Sequence, residues 1–183
     1  MDFTQSVWQG QLVRLRAIEP GDWEAYAAWN ADDEQAQAVW RIPFPQSAEA
    51  VRQWALQEAV RTPQGDNFRF VVVDHDGEVV GDLTTHDCDP RVGALSYGVT
   101  IRRDRRRMGY AAEAILLVLR YYFRELRYQK ATVRVYSFNE ASIRLHEKLG
   151  FQHEGRIRRT VYTNGALCDE IVLGLTVEEL GDG

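Results

Sequence analysis

Apolar and polar residues near the N-terminus follow a pattern that predicts one strand and then two helices. Leu12–Ile18 has the period of a half-buried strand. Asp22 can cap a helix that runs from Trp23 to about Asn30. Ser47 can cap a second helix, because the apolar residues that follow it recur on one helical face. These apolar residues are Val51, Trp54, Ala55 and Ala59.

The period changes to that of strands from Phe68 onwards. Three segments read as strands: Phe68–Asp74, Glu78–Thr85 and Ala94–Ile101. The first two are joined by Asp74–Gly77, whose Asp-Gly pair favours a hairpin turn. We therefore expect an antiparallel meander.

A helix, a strand and a second helix come next. Apolar residues recur at intervals of three and four from Ala112 to Leu126, which predicts a helix over about Gly109–Leu126. Ala131–Tyr136 reads as a strand, and Asn139–Leu149 as a helix that ends at Gly150. Because a strand, a crossover helix and another strand follow in succession, the strands at Ala94 and Ala131 should be parallel.

The last part of the chain reads as a closing hairpin. Its strands are Gln152–Thr163 and Leu167–Val177, with Asn164-Gly165 at the turn. Together with the preceding elements this predicts a mixed sheet with helices on both faces.

Composition and charge narrow the class of protein. The 183 residues are 45% hydrophobic, so we expect one domain over residues 1–183. No apolar run is long enough to cross a membrane and no secretory signal is present, so we expect a cytoplasmic protein without a membrane partner. The net charge of -5 argues against a nucleic-acid partner. Cys88 and Cys168 have no zinc-site spacing, so no metal is expected.

One segment is strongly basic although the chain as a whole carries a net negative charge. Arginine fills five of the six positions 102–107, just before the predicted helix at Gly109. A helix N-terminus has free main-chain N–H groups and a positive potential, and it can hold an anion with several oxygens. Gly109 lets the main chain approach such an anion closely. The segment lacks both the Walker and the Rossmann glycine patterns, so it predicts an anion site of another kind.

Two motifs in this order resemble the GNAT superfamily of acyl-CoA N-acyltransferases, and within it the RimJ/RimL-like branch. The first is Arg106-Arg107-Met108-Gly109-Tyr110-Ala111-Ala112, and the second is Asn139-Glu140-Ala141-Ser142 followed by Glu147-Lys148-Leu149-Gly150-Phe151. The resemblance covers nearly the whole chain. It implies the GNAT fold, of class α/β (α+β): a mixed, mostly antiparallel seven-stranded sheet with a parallel, splayed central pair and about four flanking helices.

The resemblance also implies a site for acetyl-CoA. Its pyrophosphate would lie on main-chain N–H groups, with the side chain of Arg106 or Arg107 nearby. The residues concerned are Arg107, Met108, Gly109, Tyr110, Ala111 and Ala112. Val99 and Ile101 would bond the pantetheine arm from a bulged strand, which could also direct an N–H at the thioester oxygen, and Asn139 would contact the arm.

The residues offer two candidates for the acid that protonates the leaving thiolate. Many relatives place a Tyr seven residues after the Asn, and the residue at that place here is His146. Imidazole, with an ordinary pKa of about 6.5, could donate the proton, or His146 could simply face polar surface. Ser142, one turn earlier, is the alternative contact for the thiol.

No carboxylate occurs in Ala94–Gly98, where relatives often carry a Glu that acts as the general base. His86 and Asp87 are the alternative base, near where the cleft should open, unless Thr85–Asp89 is only a polar turn. Cys88 as a nucleophile is not needed, since direct transfer forms no acyl-enzyme. Acidic residues 32–34 could attract a cationic amine or form a solvated loop. The aromatic residues Trp23, Trp29, Trp40, Phe44 and Trp54 could line the substrate side or pack in the core.

The sequence thus predicts an N-acetyltransferase that moves acetyl from CoA to a primary amine, either a protein N-terminal α-amine or a small amine such as a polyamine. The competing interpretation is a GNAT-fold sensor or assembly module that binds acyl-CoA without turnover, and a homodimer is possible.

Overall fold

A seven-stranded mixed sheet organises the chain, of which the computed structural model describes residues 6–39 and 42–181. The strands are β1 Val13–Arg16, β2 Arg69–Asp74, β3 Val79–Asp89, β4 Ala94–Ile101, β5 Lys130–Tyr136, β6 Gln152–Thr163 and β7 Ala166–Thr176. The α-helices are α1 Trp23–Asn30, α2 Asp33–Val39, α3 Ala48–Ala59, α4 Tyr110–Arg124 and α5 Glu140–Lys148. The expected fold class is confirmed.

Strand order across the sheet is β1-β2-β3-β4-β5-β7-β6. Every neighbouring pair is antiparallel except β4 and β5, which are parallel around the crossover helix α4. The closing hairpin supplies the last two strands on the β5 side of the sheet, with β7 between β5 and β6. The parallel pair therefore lies in the middle of the sheet, where the chain enters and leaves α4.

Two apolar clusters cover the two faces of the sheet. The larger combines α4 and α5 with alternate residues of β3, β4, β5 and β7, such as Leu83, Leu95 and Val133. The smaller joins α1 and α3 to β2, where Tyr26 packs edge-on against Trp29 and Trp54. Trp23, Trp29 and Trp54 belong to this core, as one of the two interpretations held, whereas Phe44 is 93% exposed and does not; Trp40 lies outside the described residues.

Two local predictions were wrong. The acidic segment, which one of the two interpretations took as a solvated loop, contributes Asp33 and Glu34 to α2, and two residues separate α2 from α1. Thr85–Asp89 is not a turn, because β3 continues through it to Asp89. The continuation contains a bulge at Asp87, whose φ is 50°, where the register with β4 shifts.

Candidate active site

A gap opens in the middle of the sheet between the two parallel strands. Their pairing comprises three residue pairs and ends at Ser96 and Thr132, although β4 continues to Ile101 and β5 to Tyr136. A cavity of about 80 Å³ occupies the gap. It is lined by Tyr97, Gly98 and Val99 of β4, by Val133–Tyr136 of β5, and by Asn139, Ser142 and His146 of α5. The structure thus brings three predicted site residues of α5 to the place where the sheet splays.

The free edge of β4 presents main-chain groups to this gap. Arg102 donates its N–H to the carbonyl of Val80 at 2.8 Å, so Arg102 faces β3. Because main-chain groups alternate between the two edges of a strand, those of Val99 and Ile101 face β5. Their N–H groups are available to a guest in the gap. The expected bulge in β4 is not present: its register with β3 is continuous from Ser96 to Ile101, and the bulge belongs to β3.

The turn into α4 supplies a row of free amides. Gly109 occupies the N-cap position with a φ of 86°, and Arg107 also has a positive φ, of 66°. The N–H groups of Tyr110, Ala111 and Ala112 belong to the first turn and have no intrahelical acceptor. Those of Arg107, Met108 and Gly109 have no acceptor among the residues described. Six successive amides, from 107 to 112, can therefore bind an anion.

The five arginines do not act as one cationic surface. Arg102 pairs with Glu78 and Asp104, Arg103 with Glu34, and Arg105 with Glu78 and Asp74. Arg106 instead directs its Nε to the carbonyl of Ile101, at 3.3 Å, beside the gap. Arg107 has no ion pair or side-chain hydrogen bond within the described chain. Only Arg106 and Arg107 are thus placed to add charge to the amide site.

Asn139, Ser142 and His146 occupy successive turns at the start of α5. The side chain of Asn139 caps the helix and accepts from the N–H of Ser142 at 3.2 Å. His146 is 2% exposed, so it does not face polar surface. Its Nδ1 lies 2.7 Å from the carbonyl oxygen of Ser142 and 3.5 Å from the Ser142 hydroxyl. Burial lowers the pKa of His146, so its imidazole is neutral at pH 7.

His86 and Asp87 do not line the gap, which corrects their expected position. His86 pairs across the sheet with Ser96, at the closed end of the parallel pair, and it borders a separate cavity beside α3. The His86 ring contacts the carboxylate of Asp87 at 3.0 Å on the surface. Burial raises the pKa of the neighbouring Cys88 thiol, which reduces its thiolate fraction and its value as a nucleophile.

Six residues that line the gap were not among the predicted site residues, and two of them, Tyr97 and Gly98, bear on what the gap can hold. Tyr97 is 4% exposed, and no pattern in the sequence distinguishes it from an ordinary core tyrosine. Gly98 did carry a signal, because glycine inside a strand often marks close approach of a ligand. A Cβ built on Gly98 would meet no described atom within 4 Å, so open space lies above it.

A parallel pair that splays beside a helix N-terminus with free amides can hold an acyl group joined to a phosphate-bearing carrier. The family model described as Acetyltransferase (GNAT) domain matches residues 13–152. The chain belongs to the GNAT acetyltransferase family and is an N-acetyltransferase, an acyltransferase enzyme.

Proteins named as N-acetyltransferases are similar to this chain over nearly its whole length. The SPbeta prophage-derived uncharacterized N-acetyltransferase YokL of Bacillus subtilis is 42% identical over 172 residues, or 94% of each chain. YdaF of the same organism, provisionally named a ribosomal N-acetyltransferase, is 25% identical over 169 residues, 91% of this chain and 92% of its own. The spermidine N-acetyltransferase of Vibrio cholerae, solved with CoA and spermine, superimposes with a TM-score of 0.80 at 20% identity, over 93% of this chain and 99% of its own.

The described residues contain neither a metal-binding cluster nor a membrane-spanning helix. No group of three or more His, Cys, Asp or Glu side chains is arranged to hold a metal ion. Within the same residues, no helix combines the length and the apolar character needed to span a bilayer.

Proposed function

We propose that this chain transfers the acetyl group of acetyl-CoA to a primary amine, with the α-amino group of a peptide or protein as the acceptor. The binding of acetyl-CoA as the donor is supported by the row of free amides at 107–112, which adjoins the gap between β4 and β5. The pyrophosphate would bind these amides with Arg106 and Arg107. The pantetheine arm would run into the gap, along the N–H groups of Ile101 and Val99, and past Asn139.

Access for the amine is supported by Gly98. Side chains alternate along β4, so the Cα of Gly98 faces away from the α4 and α5 side, toward which Tyr97 points. Space above Gly98 is open, and no other feature requires glycine: its φ is not positive and no neighbour would clash with a Cβ. We infer that the amine crosses Gly98 to reach a thioester in the gap.

The choice of an α-amine follows from the residues that line the gap, which include no carboxylate. An α-amino group with a pKa near 7.8 is roughly one-seventh neutral at pH 7, whereas a lysine-like amine is neutral in about one molecule of 2,500. An α-amine can therefore attack without a strong base. The acidic residue Glu34, which could have attracted a polyamine, is already paired with Arg103. A cytoplasmic location, a homodimer and membership of the RimJ/RimL-like branch stay predictions.

The test is acetyl transfer by the full chain, read by mass spectrometry. One peptide has a free N-terminus and an internal lysine, a second is the same peptide with its N-terminus blocked, and a third acceptor is spermine. We expect acetylation of the first peptide at its N-terminus alone. Acetylation of only the blocked peptide or spermine would overturn the acceptor class, and absence of both CoA binding and thiol release would overturn the activity.

A further inference from the structure

Two buried polar atoms in the gap have no hydrogen-bond partner in the part of the chain that the structure describes. They are the hydroxyl of Tyr97 and Nε2 of His146. The two side chains are 4% and 2% exposed, and their ring centroids lie 5.9 Å apart. Both line the same small cavity. Because unpaired buried polar atoms are rare in proteins, two of them in one cavity indicate a guest that uses them.

The two atoms have complementary roles. Nδ1 of His146 must carry its hydrogen, because it bonds the carbonyl oxygen of Ser142, which can only accept. Since the ring is neutral, Nε2 has a lone pair and no hydrogen. It can accept a proton but has none to give. Burial raises the pKa of Tyr97 well above its ordinary value, so the phenol keeps its proton until a stronger acceptor develops.

We propose that the Tyr97 hydroxyl donates the proton to the leaving CoA sulfur, and that Nε2 of His146 then supplies a proton to the Tyr97 oxygen. The proposal rests on the acetyl transfer described above. As the amine nitrogen bonds the carbonyl carbon, the carbon–sulfur bond breaks and its electron pair stays on sulfur. Tyr97 gives its proton to sulfur. The nitrogen releases one proton, which Nε2 holds and passes to the Tyr97 oxygen, so both groups end as they began.

This arrangement accounts for the histidine at 146. The family resemblance places a tyrosine there, on α5, whereas here a phenol enters the same cavity from β4. His146 then has the position of the usual acid without its function, because its free nitrogen is an acceptor. Ser142 is the competing donor: it is partly exposed and its hydroxyl lies 3.5 Å from Nδ1 of His146.

The decisive variant is Tyr97→Phe, which removes one oxygen and keeps the packed ring. We expect kcat to fall by about 100-fold, the usual contribution of a positioned acid, with the Kd for CoA unchanged. The melting temperature should stay the same or rise, because the lost hydroxyl had no partner in the free protein. Tyr128→Phe is the matched control. Its hydroxyl bonds the carboxylate of Asp66 at 2.8 Å, so its loss should lower the melting temperature and leave kcat unchanged.

Ser142→Ala and His146→Gln complete the experiment, with acetylation of the peptide bearing a free N-terminus as the assay. The proposal requires a smaller loss of kcat for Ser142→Ala than for Tyr97→Phe. It is overturned if Tyr97→Phe keeps its full kcat, if Ser142→Ala alone abolishes turnover, or if Tyr97→Phe loses CoA affinity in parallel with rate. None of these results tests the proposed function, which depends on acetyl transfer and CoA binding by the wild type.

Discussion

The carboxylate of Glu113 accepts a hydrogen bond from the main-chain N–H of Leu12 at 2.7 Å, and it does so together with the adjacent N–H groups of Gln11 and Val13. Glu113 is in the first turn of α4, and Leu12 precedes β1. The side chain of Leu12 also lies against Gly109, where an added Cβ would approach its Cδ1 to 2.9 Å. The segment before β1 is thus fastened to the turn that carries the free amides.

Replacement of Glu113 should therefore destabilise the fold. We expect Glu113→Ala to lower the free energy of unfolding by about 2 kcal/mol, because hydrogen bonds to a charged group contribute about 1.5–3 kcal/mol and three N–H groups lose their acceptor. Glu113→Gln should recover part of the loss. The control is Glu140→Ala in the first turn of α5, where the exposed pair with Arg144 contributes at most about 0.5 kcal/mol. Equal urea midpoints for the two alanine variants would contradict the prediction.

Arg107 should matter more for CoA than Arg103, which is also exposed. Arg107→Gln removes a cation beside the free amides that has no partner within the described chain, so we expect the Kd for CoA to rise about tenfold at low salt. Arg103 is paired with Glu34, and Arg103→Gln should change the Kd little. Calorimetric titration of both variants at two salt concentrations decides the matter. A larger effect at Arg103 would place the phosphate groups elsewhere.

A side chain at position 98 should block the amine and spare CoA. Gly98→Val suits an extended strand and creates no clash in the free protein, so its melting temperature should not fall. We expect kcat/KM for the amine to fall by about 100-fold, since displacement of a reactant by 1 Å can have that effect. Gly155→Val on β6 is the control, because its Cβ would also meet no described atom within 4 Å and it lies far from the gap in the strand order. Normal peptide kinetics for Gly98→Val would exclude this route.

The buried imidazole of His146 should make stability depend on pH. Burial lowers its pKa in the folded state, whereas the unfolded chain binds a proton below about pH 6.5. The unfolded state then binds more protons, so the contribution of His146 to stability is lost as the pH falls from about 6.5 toward the lowered value. Urea unfolding of the wild type and His146→Gln at pH 7.5 and 5.5 measures it. The difference in the free energy of unfolding between the wild type and His146→Gln should be smaller at pH 5.5 than at pH 7.5. A larger difference at pH 5.5 would contradict the assignment of a neutral ring.

Periodicity was sufficient for the strongly patterned elements of this fold. β4 and α1 have the predicted bounds, and α3 begins after the predicted cap, Ser47, whose hydroxyl accepts from the N–H of Ala50. α2 was missed because its first residues are charged and carry no apolar stripe. The extension of β3 was missed because His86 and Asp87 are polar and exposed, as turn residues usually are, although the pairing of His86 with Ser96 and of Asp89 with Ala94 keeps this segment in the sheet.

The sequence by itself determined the GNAT family, the succession of the seven strands and the row of free amides at the start of α4, because each of these depends on residues that are close together in the chain. Tertiary structure alone decided which arginines are neutralised, where His86 lies, and that Tyr97 and His146 share one buried cavity. Those relationships join residues from different strands and helices. Burial and ion pairing between such residues are set by packing, which a local pattern of side chains does not record.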